Sequence, residues 1–205
     1  SAELLGLLSN SYRDVGEVDH ALKTARKAEE IASRSYPAGH PMRARIGLVL
    51  ARAHSDKGDY EEAHRLLDQT IAIQRGLGDE GAGDLAGSLG FLSSVMVNQG
   101  REEEAIRIGR EAVALWVRVR GLEDASTIAA IGELSNKLMI GRHRREARVE
   151  AERAYRLAKE AFANPDHPVT TDQAAHLAYA MRAEGQYQAA RDQFRAVVES
   201  RRRVF

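Results

Sequence analysis

Gly58-Asp59-Tyr60-Glu61-Glu62-Ala63 recurs along the whole chain as Gly16-Glu17-Val18-Asp19-His20-Ala21, Gly100 to Ala105, Arg142-His143-Arg144-Arg145-Glu146-Ala147 and Gly185-Gln186-Tyr187-Gln188-Ala189-Ala190. The alanines fall at 21, 63, 105, 147 and 190, at intervals of 42, 42, 42 and 43 residues. A fixed period of this size marks stacked structural units that bury their apolar faces against each other.

Eight residues before each glycine column stands a leucine, Leu8, Leu50, Leu92, Leu134 and Leu177, and after it a small residue, Ser9, Ala51, Ser93, Ser135 and Ala178. Apolar residues three and four apart on both sides of the glycine make each unit a pair of helices, A and B. Glycine ends helix A because it alone takes positive φ without a steric cost. Asp59, Glu61 and Glu62 then place acid in the first turn of helix B, where the dipole favours it. In the fourth unit Arg142 occupies the glycine column with Gly141 one place early, so helix A there is expected to end one residue sooner in a distorted turn. Proline suits a first helical position, so Pro41 and Pro168 read as helix starts with His40 and His167 as caps.

Five units follow, 1–39, 40–81, 82–123, 124–166 and 167–205, with helices expected over 3–15, 18–35, 41–57, 60–76, 83–99, 102–120, 125–141, 143–163, 168–184 and 187–203. The period alone also suits armadillo or HEAT repeats or propeller blades, but blades need strands, and period-2 alternation is absent. The fold class is all-α.

Thirty basic residues balance thirty acidic ones, which argues against a nucleic-acid or anionic-membrane surface. The chain has no cysteine, hence no disulfide and no thiolate metal site. No apolar run reaches the roughly 20 residues of a membrane span, and the chain reads as cytoplasmic. His54 and His64 lie ten apart outside any HExxH pattern and read as surface or groove histidines. The glycines from Gly76 to Gly90 lack the Gly-Lys-Ser/Thr ending of a phosphate loop and read as a flexible linker running into a helix. Arg142, Arg144, Arg145 and Arg148, and the run 201–203, read as solvated faces paired with Glu146, Glu150 and Glu152, without the aromatic partners of a single-strand binder. Trp116, at helical spacing with Val113 and Val119, reads as core. No catalytic residue, metal or cofactor is expected.

Leu50-Ala51, Gly58-Asp59-Tyr60, Glu62-Ala63 and the His-Pro linkers at 40 and 167 resemble tetratricopeptide repeats of the 42-residue kind, similar to those of kinesin light chains. Such arrays also occur in bacterial signalling proteins, appended to STAND-type ATPases, transcriptional regulators and protein kinases. The resemblance implies a right-handed superhelical solenoid of five repeats and ten helices, with the A helices lining a concave wall. On this sequence that wall holds Gly6, Leu7, Asn10 and Asp14, then Arg45, Leu48, Val49, Arg52 and Asp56, then Gly87, Gly90, Phe91, Ser94, Val97 and Asn98. It continues with Gly132, Glu133, Asn136 and Met139 and ends with Asp172, His176, Tyr179 and Arg182.

These columns vary between repeats while the leucine and alanine columns stay fixed, which points to a site. The kinesin-type asparagine before the constant leucine is replaced by Leu7, Val49, Phe91, Glu133 and His176, so kinesin-like cargo specificity is not expected to transfer. The implied function is a non-catalytic module binding a protein or peptide in the groove, with Phe91, Val97 and Met139 in apolar contact and Arg45 and Arg52 reading an acidic group. The alternative is a regulatory or sensor segment of a larger signalling ATPase, regulator or kinase. The last helix carries Phe194, Val197, Val198, Val204 and Phe205, an expected exposed stripe that would self-associate if this is a piece of a longer array.

Overall fold

In the computed structural model, which describes residues 1–204, every regular element is helical. The helices are α1 (Ala2–Asp14), α2 (Val18–Ser35), α3 (Pro41–Asp56), α4 (Tyr60–Gly76), α5 (Ala82–Asn98), α6 (Glu102–Arg120), α7 (Ala125–Ile140), α8 (Arg144–Ala161), α9 (Pro168–Ala183) and α10 (Tyr187–Val204). The chain divides into two compact units, Ser1–Arg101 and from Glu102 onward, the boundary falling between the helices of the third repeat.

Within each unit the repeat columns explain the packing. Ser9, Ala51, Ser93, Ser135 and Ala178 are fully buried, as are the column alanines Ala21, Ala63, Ala105 and Ala147. The serines are small enough for close helix approach and satisfy their hydroxyls across it. Ser9 Oγ donates to the Ala21 carbonyl at 2.8 Å and Ser135 Oγ to the Ala147 carbonyl at 2.7 Å. A buried hydroxyl without such a partner would cost about 1–3 kcal/mol. Leu50, Leu92, Leu134 and Leu177 are buried between helices, but Leu8 is 44% exposed. The expected burial fails there because none of the described helices covers that side of α1.

The turns follow one scheme. Gly58 takes φ +85°, its N–H donates to the Ser55 carbonyl at 3.0 Å, and the Asp59 N–H reaches the His54 carbonyl at 2.9 Å. This is a Schellman end, which satisfies carbonyls orphaned by the helix terminus. Repeat four corrects the sequence expectation. Its helix does not end early. Arg142 itself takes φ +66°, with its N–H on the Met139 carbonyl at 3.1 Å and the His143 N–H on the Leu138 carbonyl at 2.8 Å. Gly141 serves a different purpose: a Cβ there would lie 2.7 Å from Ile106 Cδ1. Because Arg142 holds a left-handed conformation that favours glycine, Arg142→Gly should stabilise the fold by about 0.5–1 kcal/mol. A thermal midpoint that fell would contradict this account.

The helix starts behave as expected. His40 Nδ1 accepts from the Met42 N–H at 3.1 Å and His167 Nδ1 from the Val169 N–H at 3.3 Å, each before a proline at the first helical position. The aromatic residue closing the preceding B helix stacks on each cap, Tyr36 on His40 at 4.5 Å and Phe162 on His167 at 4.0 Å.

The glycine-rich stretch is not a flexible linker. Residues Gly78–Gly81 form a 3₁₀ turn leading directly into α5. Gly81 is pressed against α4, where a Cβ would lie 2.7 Å from the Gln74 carbonyl oxygen. His54, expected at the surface or in the groove, is buried and its Nδ1 lies 3.2 Å from Asp59 Oδ2, tying the end of α3 to the turn that follows. Trp116 is half-buried and Val113 is buried, while Val119, in the last turn of α6, is 38% exposed.

Candidate functional site

In the first unit, Gly6 brings α1 onto α3. A Cβ at Gly6 would lie 3.0 Å from Ile46 Cδ1 and 3.8 Å from Val49 Cγ2, so the missing side chain is what permits the approach. Val49 is consequently only 7% exposed and belongs to the core, not to an open wall as its column suggested. Leu48, Arg52, Phe91, Ser94 and Val97 are half-buried, and Arg45 and Asn98 are exposed.

The Arg52 guanidinium carbon lies 5.7 Å from the Phe91 ring centroid, joining α3 to α5 through a cation–π contact. Burial and the neighbouring Arg13 lower the Arg52 pKa, and Asp56 partly opposes them. Asp56 itself is engaged by Arg13. Arg45 is held by Glu3 at 3.4 Å, an exposed pair of small energetic weight. Ser94 Oγ donates to the Gly90 carbonyl four residues back at 3.2 Å. Arg52 is therefore a half-desolvated cation on an aromatic face with no carboxylate of the described residues in ion-pair contact, an arrangement suited to receive an anionic group beside an apolar one.

In the second unit, Gly132 has the role of Gly6. A Cβ there would lie 1.9 Å from Gln173 Oε1 and 3.1 Å from His176 Cδ2, so α9 packs directly on α7. Around this approach gather Glu133, Lys137, Gln173 and His176. Lys137 was not singled out from the sequence, yet it is only 5% exposed, with Nζ 3.3 Å from Glu133 Oε2 and 3.4 Å from the Glu133 carbonyl. A signal existed: its repeat column holds the buried apolar residues Ala53, Val95 and Ala180 in the second, third and fifth repeats, and a polar, exposed residue, Ser11, in the first. Burial lowers the Lys137 pKa, with Glu133 opposing. Burial also lowers the His176 pKa, against the raising influence of Glu133 and Asp172.

Asn136 is half-buried, and Met139 is half-buried against two core clusters, which leaves it less open than expected of a contact residue. Tyr179 remains 43% exposed, edge-on to Phe194 at 4.9 Å and beneath the Arg182 guanidinium at 5.2 Å.

Of the basic stretches, Arg148, Arg201 and Arg203 are paired, while Glu146 and Glu150, expected as partners of the first stretch, are taken by Arg110 and Arg153. Arg148 meets Glu152 at 2.8 Å and Glu184 at 3.3 Å, and Arg110 meets Glu146 at 2.5 Å. Arg201 meets Asp172 at 3.0 Å, and Arg203 grips Asp166 with both nitrogens, holding that carboxyl down at about 2. Among the described residues no His, Asp and Glu group could hold a metal ion, and no helix is long and apolar enough to cross a membrane.

Two family profiles, both described as tetratricopeptide repeat, match the chain, one over residues 1–76 and the other over 85–125 and 170–205. Most of the fourth repeat, where Arg142 stands in the glycine column, lies outside these ranges. A Podosopora anserina protein described as a kinesin light chain of nearly identical TPR-like repeats is 24% identical, with a TM-score of 0.81 over 98% of this chain and 95% of that one. BtubC (BKLC) from P. vanneervenii is 17% identical, with a TM-score of 0.80 over 98% of this chain and 80% of that one. MamA from Desulfovibrio magneticus RS-1 is 16% identical, with a TM-score of 0.61 over 98% of this chain and 95% of that one. These likenesses are of fold. No curated protein sequence matches the chain.

Proposed function

Because the chain belongs to the tetratricopeptide-repeat family, whose members are in general protein-interaction modules, we propose that it is a non-catalytic module recognising a short peptide on the faces of its A helices. The observation that carries this reading is Arg52 lying over Phe91 in the first unit. A carboxylate of the ligand completes the half-buried guanidinium, and an apolar residue next to it covers the exposed part of the Phe91 ring, with Leu48 and Val97, half-buried on the same two helices, as further apolar surface. Arg45, exposed on the same helix, adds longer-range attraction for acid. Aromatic and arginine anchors of this kind usually dominate such binding. In the second unit the exposed ring of Tyr179, with Asn136, Glu133 and His176, offers a more polar stretch.

Panning a random peptide library against the chain should enrich sequences with Asp or Glu beside a bulky apolar residue. The Arg52→Ala, Phe91→Ala double variant should bind the enriched peptides at least about tenfold more weakly, a loss of about 1.4 kcal/mol, with its helical circular dichroism unchanged. Equal affinity in the double variant would remove the A-helix wall of the first unit from the site.

A further inference from the structure

A register rule runs through the helix interfaces. The residue just after the column alanine of each B helix meets the residue just before the glycine column of the next A helix. His64 Nδ1 lies 2.8 Å from Gln99 Oε1, Ile106 fills the place where Gly141 lacks a side chain, and Arg148 bonds Glu184 at 3.3 Å. Seven residues further along α8, Tyr155 packs in one cluster with Leu177, which lies seven residues before Glu184. The covering helix therefore runs antiparallel to the B helix, presenting a leucine and then, seven residues on, the partner of the first position.

In α10 the same positions hold Arg191 for Arg148, Phe194 for Ala151, Val198 for Tyr155 and Arg202 for Lys159. They line an open groove of about 540 Å³, with Tyr187 71% exposed and Val198 49% exposed. The expected stripe on α10 is only partly present. Val197 is buried on the opposite side and Phe194 is half-buried against Tyr179. Val204 is exposed, and Phe205 lies outside the described residues.

Charge makes this groove specific. Arg148 has two carboxylates, Glu152 on its own helix and Glu184 on the covering one. Arg195 replaces Glu152 in α10, so among the described residues Arg191 has only its neighbour Asp192 at 3.7 Å, itself hydrogen-bonded by Gln188. Among the described residues Arg195 and Arg202 make no ion pair, and Glu199 is the single acid among the lining residues.

We propose that this face of α10 is a docking site for an acidic amphipathic helix that presents a leucine to Val198 and, seven residues later, a glutamate to Arg191. A second copy of the chain fits less well. Its α1 exposes Leu4, Leu7 and Leu8, but the register sets Val15 against Arg191 and leaves the arginines unanswered. The site lies in the second unit and shares no residue with the A-helix wall around Arg52 in the first.

The probe is a labelled 18-residue helical peptide carrying that Leu and Glu seven apart with acid on the flanks, titrated by fluorescence anisotropy. Saturable binding is expected, weakened roughly tenfold or more by Arg191→Glu. It should be restored when the peptide's glutamate becomes arginine, and unchanged by Arg52→Ala. Absence of saturation, insensitivity to Arg191→Glu, or loss with Arg52→Ala would overturn the proposal. So would a dimer, seen by light scattering, that Leu7→Glu dissolves and the peptide cannot displace.

Discussion

Leu92→Ala should lower the free energy of unfolding by about 2–5 kcal/mol, and Leu8→Ala in the same column by about 1 kcal/mol or less. Leu92 is 4% exposed within α5, where truncation removes the transfer free energy of three carbons and leaves a void that fixed helices fill only in part. Leu8, 44% exposed, already keeps much of its surface in water, so alanine gives up little. Urea unfolding with the slope checked for both variants reads the comparison. Equal costs would mean that position within the array does not govern burial of the column, and the packing account would fail.

What the sequence made legible is what the repeat makes periodic. Leucine and small-residue columns and the helix boundaries are dictated by local chemistry repeated five times, and the histidine cap before proline by chemistry repeated twice, so each copy checks the others. The rest depends on single approaches between helices. Val49 looks like wall until Gly6 lets α1 slide over it, and a single glycine in a variable column carries no sign of what it admits. Arg142 shows the converse. Two backbone hydrogen bonds fix the turn, so residue identity there changes its energy more than its shape. Of the candidate site, the pairing of Arg52 with Phe91 lay in the sequence only as two residues of the same wall. Their contact comes from side chains on neighbouring A helices, at a distance that periodicity does not specify.

The buried ammonium of Lys137 leads to two substitutions with opposite signs. Glu133→Ala should cost about 1–3 kcal/mol, because it strips a buried charge of its counter-ion and leaves it only the Glu133 main-chain carbonyl at 3.4 Å. Lys137→Met should instead raise stability by about 1 kcal/mol or more, since the thioether chain fills much the same space with no charge to desolvate.

The pH dependence separates this account from a simple packing effect. Burial holds the folded-state pKa of Lys137 below its unfolded value of about 10.4, so in the window between the two the unfolded chain binds more protons than the folded one. Stability then rises with pH through that window, as the penalty for burying the charge disappears. Measured as the difference between wild type and Lys137→Met, which cancels the exposed lysines and tyrosines, the advantage of methionine should be largest at neutral pH and shrink as pH climbs toward 10.4. A methionine variant that is less stable at neutral pH, or an advantage that does not change with pH, would show that Lys137 is not held as a desolvated charge.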